Sequence, residues 1–318
     1  MKESAAHFEL VKKQNKKVIR NLLHTESSLS VSQLAERAEL SYPTVSQLLK
    51  ELHKSGEVQV ISEKESYGGR PGIRYELNHE YQYAAIMYFN HWYLKCSIYN
   101  AIGLRVGKKE ILIDENVTVD HLVSFIESIK GQYKALSAIG FGIPGVALDG
   151  EIKFLPKFKN LEGKSLHQAI TEKFSIHFII ENDINAIAMA EADKWESFAH
   201  VIEIDGCIGA GIILNGELLR GVRGYAGEME YLCDSLGDRI LSFAQAIQAI
   251  ICVMDFSEIV ITADGFRESE IVSIQEKLKN MLPKDRIPKL HIVENAFDLY
   301  EKGLLMFVMQ KWKTETKD

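Results

Sequence analysis

FIIENDINAIAMAE, residues Phe178 to Glu191, is the stretch on which the reading of this chain turns. An apolar run stops at Glu181-Asn182-Asp183, Asn185 follows, and an alanine-rich segment comes next. Polar side chains at the end of a buried strand, just before a helix, commonly line a ligand crevice in α/β sheets. They serve equally well as caps, because an Asn or Asp side chain accepts the orphan backbone N–H groups of a helix's first turn. On these residues alone, Asp183 is a proton acceptor, a ligand clamp or a cap.

The flanking sequence supplies the architecture. AAIMYF and LKCSIYN read as paired strands, with Ala101-Ile102-Gly103 turning into a further strand. HLVSFIESIKGQY is an amphipathic helix, SAIGFGIPG a strand ending in a glycine-proline turn, and INAIAMAEADKW the helix that follows FIIEN. HVIEIDG and AGIILNGELL form a second hairpin, with Asn215-Gly216 at a turn. LSFAQAIQAIICVMD is a long apolar helix, assigned to core rather than to an interface, and it leads into the strand EIVITADG. Strands and helices alternate twice over. That predicts a duplicated α/β body over residues 80–318, two lobes dividing near residues 185–200 with a crevice between them.

Residues 1–79 read differently. Asn15 to Leu23 suits a first helix, and Ser30 caps VSQLAERA, where Val31, Leu34, Ala35 and Ala38 recur at helical spacing. Ser41 caps a further helix with Pro43 in its first turn and Val45, Leu48, Leu49 and Leu52 on its apolar face. EVQVISEKESYGGRPGIRYELN alternates as two strands about Gly68-Gly69-Arg70-Pro71, a wing. The segment is predicted to be a winged helix-turn-helix that meets double-stranded operator DNA. Ser41, Tyr42, Thr44, Ser46, Gln47 and Lys50 lie off the apolar face, free for base edges or phosphates, and Arg70 at the wing tip is placed to reach a phosphate or a narrow minor groove.

Composition bounds the rest. The net charge of −7 conceals 12 Lys and Arg against 10 Asp and Glu in residues 1–77, and 25 against 34 beyond them. A mildly basic head on an acidic body suits an anionic partner at the head alone. No apolar run approaches the roughly 20 residues that span a bilayer, and the N-terminus lacks the apolar core of a secretory signal, so no membrane partner and a cytoplasmic location are expected. Cys96, Cys207, Cys233 and Cys252 are scattered, which predicts small core residues rather than metal ligands or disulfide partners.

GFGIPG, ENDINA and IGAGIILNGELLRGVRGYAGE, in that order, resemble the ROK family of sugar kinases and sugar-responsive repressors. The winged helix and its GGRP turn resemble the repressor branch, the xylose and N-acetylglucosamine type. The resemblance implies an actin-like ATPase or sugar-kinase body of ribonuclease H-like lobes. In kinase members the aspartate of E-N-D-x-N-A takes the proton of the attacking sugar hydroxyl, and Asp183 matches it. Asn182 and Glu228 match residues that bond sugar hydroxyls, and Gly145 matches backbone that closes on the sugar. Lys157 stands where the family has an asparagine, either to meet a phosphate or carboxylate on the ligand or to face solvent.

The phosphate elements depart from the family. At its early D-x-G-x-T element this chain reads YFNHW, with Tyr88 at the aspartate, Asn90 at the glycine and Trp92 at the threonine. The second phosphate loop reads Asp205-Gly206-Cys207-Ile208-Gly209-Ala210-Gly211, with a carboxylate where triphosphate would sit. The late glycine cluster reads ITADG, with Ala263 and Asp264 in place of glycines. GEMEY puts Tyr231 at the histidine that usually precedes a cysteine-rich zinc loop, and only Cys233 follows. No metal and no cofactor are expected. The resemblance therefore implies a non-catalytic, dimeric transcription factor, a repressor, governed by a sugar or sugar derivative near Gly145, Lys157, Asn182, Asp183, Glu228 and Tyr231. The alternatives are an active sugar kinase carrying a DNA-binding head and a DNA-binding protein that senses nothing small.

Overall fold

The computed structural model describes residues 2–62, 73–204, 206–232, 237–262 and 264–314. The head opens with α1 (Lys2–Glu26), β1 (Ser28–Ser30), α2 (Val31–Arg37) and α3 (Tyr42–Lys54), and β2 (Val58–Ser62) and β3 (Ile73–Leu77) complete it. Ser30 starts α2 through a reciprocal cap: its Oγ accepts the Gln33 N–H at 3.3 Å while its own N–H donates to Gln33 Oε1 at 3.0 Å. Ser41 does the same service for α3, accepting from Thr44 N. Ile19, Leu23, Leu34, Val45, Leu48, Leu49 and Leu52 close the head's own core.

The strands pair in the order β1-β3-β2, all antiparallel. Two features differ from the sequence expectation. The first helix begins not near Asn15 but at Lys2, because no glycine or proline interrupts the preceding residues. The three-residue β1 is too short to show alternation. The Gly68-Gly69-Arg70-Pro71 turn lies outside the described residues.

The first lobe contains β4 (Tyr83–Asn90), β5 (Tyr93–Asn100), β6 (Arg105–Leu112), α4 (Val119–Gln132) and β7 (Leu136–Ile143). A small hairpin of β8 (Val146–Leu148) and β9 (Glu151–Phe154) follows, then α5 (Leu166–Phe174) and β10 (His177–Asn182). The second lobe contains α6 (Asp183–Met189), β11 (Phe198–Ile204), β12 (Cys207–Leu214), β13 (Glu217–Leu218) and α7 (Arg239–Met254). It ends with β14 (Glu258–Thr262), α8 (Glu268–Met281), β15 (Lys289–Val293) and α9 (Ala296–Thr314).

The sheet orders are β10-β7-β4-β5-β6 and β13-β12-β11-β14-β15. Each is an antiparallel three-strand meander extended by two parallel strands on the other side of its first strand. The duplication is thus one of topology, strand for strand.

Alternation along the strands sorts the layers. Ala85, Met87 and Phe89 of β4 pack with α4 and α5, while Ala84, Ile86 and Tyr88 face Leu304 and Val308 of α9. The last helix therefore returns to the first sheet, and α6 and α9 lie between the lobes. On the far side α7 and α8 cover the second sheet, with Phe243, Ile247 and Ile251 of α7 in its core. α6 stops at Met189, shorter than expected, and Trp195 instead packs on Phe198 and His291 at ring separations of 5.5 and 4.4 Å.

Among the described cysteines Cys96 is buried, whereas Cys207 and Cys252 are exposed, at the first residue of β12 and on the outer face of α7. The expectation of core cysteines holds for one of the three described, and Cys233 lies outside the described residues. Among the described residues no helix is long and apolar enough to cross a membrane.

Candidate functional site

β10 delivers the motif that opened the sequence reading. Its parallel register with β7 sets Glu181 beside Gly142 and Asn182 beside Ile143. Asn182 leaves the strand with φ −63° and ψ 145° and caps α6, its Oδ1 accepting from Asn185 N at 3.0 Å. Its Nδ2 donates to the Gly145 carbonyl, also at 3.0 Å. The carboxamide thus fixes two chain segments at once. Asp183 is the first residue of α6 and is buried, with Oδ1 accepting its neighbour's N–H, that of Ile184, at 2.8 Å.

Glu181 has a separate task. Its Oε1 accepts from Asn182 N and Asn185 Nδ2, at 3.0 and 2.9 Å. Its Oε2 accepts from Arg220 Nε at 2.8 Å and Nη2 at 2.6 Å. Four donors on one buried carboxylate, two of them from a guanidinium fork, make a charge-assisted clamp. Arg220 follows β13, and its guanidinium also sits 5.6 Å from the Phe307 ring centre on α9. The clamp joins the two lobes immediately behind Asp183. Sequence reasoning missed Arg220, although it stands inside the quoted RGVRGYAGE segment.

In front of the clamp is a cleft of about 290 Å³, near the lower end of small-molecule pockets. Gly145, Lys157, Asn182, Asp183 and Glu228 line it, drawn from the β7–β8 turn, the loop after β9, the β10–α6 junction and the GYAGE loop. Glu230 adds a third carboxylate. Burial and then the neighbouring Glu230 charge raise the Glu228 carboxyl above its ordinary pKa. A Cβ on Gly145 would overlap the Phe154 carbonyl, so the turn beside the cleft requires glycine. Gly227 has φ +91°, and a Cβ there would overlap the Ala210 carbonyl, which pins the loop carrying Glu228 against β12.

Tyr231 stands outside the cleft wall, with its side chain hydrogen-bonded to Glu230. It ends a single 3₁₀ turn, is 70% exposed, and is not among the residues that line the cleft. The turn at Met229–Tyr231 buries Met229 against the second-lobe core instead, and that rotation sends Tyr231 outward.

The positions expected to hold phosphates are filled. Tyr88 is buried, its hydroxyl donating to Glu301 Oε1 at 2.8 Å and its ring 5.1 Å from that of Tyr300. Ser97 and Tyr99 donate to the same carboxylate at 3.0 and 2.8 Å. His91 and Trp92 form the tight turn between β4 and β5, with the Trp92 ring against Phe158. Gly209 and Gly211, expected in a phosphate loop, lie within β12, where added Cβ atoms would overlap Ile184 and Ala188 of α6. They are packing glycines. Asp264 accepts from Asn295 N and Ala296 N at 3.0 and 2.8 Å and so ties down the start of α9. Arg239 lies 3.7 Å from the Phe266 ring centre, donates to the Gly265 carbonyl and pairs with Glu203. Asp205 and Ala263 lie outside the described residues.

On the head, Ser41 and Thr44 join hydroxyls at 2.7 Å as part of the α3 cap, and Gln47 donates to Glu51 at 3.2 Å. Glu51 also pairs with Lys12 and Lys16 of α1, which lower its pKa to about 2, the Lys12 contact being the largest cause. Tyr42 and Lys50 are exposed and Ser46 is half-buried on the same face; Arg70 lies outside the described residues.

The sequence pattern of the ROK family matches residues 109–232, the span that holds the GIPG turn, the ENDINA motif and the GYAGE loop. Residues 109–232 are thus similar to the ROK family. The chain is 29% identical over 234 residues to the xylose repressor of Bacillus subtilis, covering 70% of this chain and 61% of that protein. It is 24% identical over 264 residues to the DNA-binding transcriptional dual regulator NagC of Escherichia coli, covering 73% and 61%. The chain thus spans about three fifths of the length of these relatives. A ROK family transcriptional regulator, a homologue of the Escherichia coli MLC protein, superposes with a TM-score of 0.69 at 18% identity over 94% of this chain and 99% of that one. The ROK hexokinase of Thermus thermophilus gives 0.60 at 18% identity over 74% and 100%. The body therefore has the two-lobed sugar-kinase fold, and the ROK domain contributes every cleft residue named above, from Gly145 to Glu230.

Proposed function

We propose that the chain is a DNA-binding transcriptional regulator, a repressor, whose ROK domain binds a sugar or sugar derivative and transfers no phosphate. The contrast within the body carries this reading. A cleft lined by Asp183, Glu228, Glu230 and Lys157 stays open to a polyol, whose hydroxyls donate to carboxylates and accept from an ammonium. The residues at the phosphate positions are bonded to one another, Tyr88 to Glu301 and Asp264 to the start of α9. Phosphoryl transfer depends on a cradle of backbone N–H groups and a metal-holding carboxylate, and Asp183 without them is an acceptor rather than a catalytic base.

The relatives named as repressors support the regulatory half of the reading. In it, α3 presents Tyr42, Ser46 and Lys50 to double-stranded DNA, Ser41, Thr44 and Gln47 hold the helix in shape beside them, and Arg70 reaches the backbone from the wing. Two chains bind paired half-sites in the cytoplasm. Ligand shifts the equilibrium between head arrangements by binding one of them more tightly.

Asp183→Ala tests the proposal. Removing a charged acceptor costs about 1.5–3 kcal/mol, so sugar affinity should fall roughly 10- to 150-fold while affinity for an operator selected from random DNA stays unchanged. Calorimetry and fluorescence anisotropy read the two separately. Loss of DNA binding in the variant would make Asp183 a structural residue and sink the assignment, as would ATP-dependent phosphorylation of a hexose or aminosugar by the wild-type chain.

A further inference from the structure

Behind Asp183 lies a side chain that the cleft does not use. Tyr300 of α9 is buried, and its hydroxyl has no hydrogen-bond partner among the described residues. The hydroxyl sits against Gly142 so closely that a Cβ there would overlap it. Gly142 pairs with Glu181, two residues before Asp183. Burial first, and then the charge of Asp183, raise the phenol pKa well above its ordinary value, so the group is a proton donor without an acceptor. An orphaned buried hydroxyl forfeits its hydration with no bond in return, and such groups in folded proteins call for a specific explanation.

α9 is also the element that connects the cleft to the head. Lys302 donates to the Ala190 carbonyl at the end of α6, and Gly303 lets α9 meet Ala186 so closely that any Cβ would overlap its carbonyl. Glu301 is held by Tyr88, Ser97 and Tyr99 of the first sheet. Nearer its end, α9 places Met309 and Trp312 in the wall of a cavity of about 90 Å³. Lys17, Arg20, Asn21 and His24 of α1 line the same cavity. The Trp312 indole N–H is a second orphan, again without a partner among the described residues. One helix therefore carries an unsatisfied donor at its cleft end and another at its head end.

We propose that Tyr300 is the positioning residue through which the cleft reaches the head: a bound ligand brings the Asp183 carboxylate and the Tyr300 hydroxyl into a hydrogen bond, and α9 carries the resulting shift to α1 through Met309 and Trp312. The new bond gives the ligand-bound arrangement an interaction that the other lacks, which is what a differential effect on the two states requires. α6 and α9 are packed without a gap at Ala186 and Gly303, so they move together rather than slide. The inference rests on the reading of the cleft as a ligand site.

Tyr300→Phe keeps the ring and removes only the hydroxyl. The test compares amide hydrogen exchange in the wild-type chain and the variant, with and without each member of a panel of pentoses, hexoses, N-acetylamino sugars and their 6-phosphates. At least one sugar is expected to slow exchange in α6 of both proteins, while the accompanying change in α1 residues 16–24 is lost in the variant. The same sugar should weaken operator binding by wild type at least 10-fold and by the variant less than 2-fold. An α1 response of equal size in both proteins would overturn the role of Tyr300 and leave the cleft assignment standing. If no sugar slows exchange in α6 of the wild type, the cleft reading falls and the coupling falls with it. Slowed exchange in the wild-type α6 alone would make Tyr300 a ligand contact instead.

Discussion

The two flanks of the interlobe crevice are built from the same kinds of element and have opposite characters. On one flank the ends of β7 and β10 and the GYAGE loop bring Lys157, Asp183, Glu228 and Glu230 around a common cleft. On the other, Tyr88, Ser97 and Tyr99 spend their hydroxyls on Glu301, and Asp264 spends its carboxylate on the start of α9. Polar side chains alone do not distinguish a binding site from a structural anchor. What separates them is whether the hydrogen-bonding capacity is already consumed inside the protein. By that measure the phosphate side is closed, while the proposed sugar side keeps an open cleft lined by carboxylates.

The comparison can be broken most forcefully at the seam between the flanks. Arg220→Ala leaves the Glu181 carboxylate buried without its guanidinium. Breaking a buried ion pair costs about 3–5 kcal/mol. Since the Arg220 side chain is 44% exposed, a loss of about 3 kcal/mol in urea denaturation is expected. The double variant Arg220→Ala/Glu181→Gln should recover part of it, because the uncompensated charge is gone. A loss below about 1 kcal/mol would mean that solvent reaches Glu181 and that the lobes are joined elsewhere.

A smaller effect sharpens the closed flank. Tyr88→Phe removes one of the donors to Glu301 and leaves Ser97 and Tyr99 in place. A hydrogen bond to a charged group contributes about 1.5–3 kcal/mol, and the remaining donors hold the expected loss near the low end, about 1.5 kcal/mol by urea denaturation. Sugar binding should be unaffected. A change in sugar affinity beyond about 2-fold would show that the two flanks are not independent.

The unequal legibility of the flanks in the sequence has the same physical origin. Ser30, Ser41 and Asn182 were readable as caps because a cap is a local bond, formed with a residue three positions away. The repeated order of strands and helices was readable because each element declares its own period. The Arg220–Glu181 clamp spans 39 residues and Tyr88–Glu301 spans 213, and nothing local in either segment names the partner. Gly209 and Gly211 illustrate the limit from the other side. A glycine in a strand announces close approach by some other group, but only the fold shows that the group is α6 and not a phosphate. Tyr231 was placed by its alignment with a ligand position, and the 3₁₀ turn at Met229–Tyr231 leaves it exposed beside Glu230 and outside the cleft wall.

The smallest expected effect concerns the open flank without its ligand. Burial and then Glu230 raise the Glu228 pKa from 4.5, so the folded protein favours the protonated carboxyl. Its stabilising contribution is complete below 4.5 and is lost as pH rises through the folded value. Glu228→Gln should therefore leave the melting temperature unchanged near pH 4 and raise it at pH 8, by about 1 °C for a group that is still partly solvated. A saturating sugar should reverse the sign at pH 8, because hydroxyls that donate to an ionised Glu228 replace the water it has lost, and the glutamine offers them a weaker acceptor. If Glu228→Gln gains nothing at pH 8 in the ligand-free protein, water already solvates the carboxylate fully. The cleft would then be a surface concavity, and the distinction between an available flank and a closed one would lose its energetic basis.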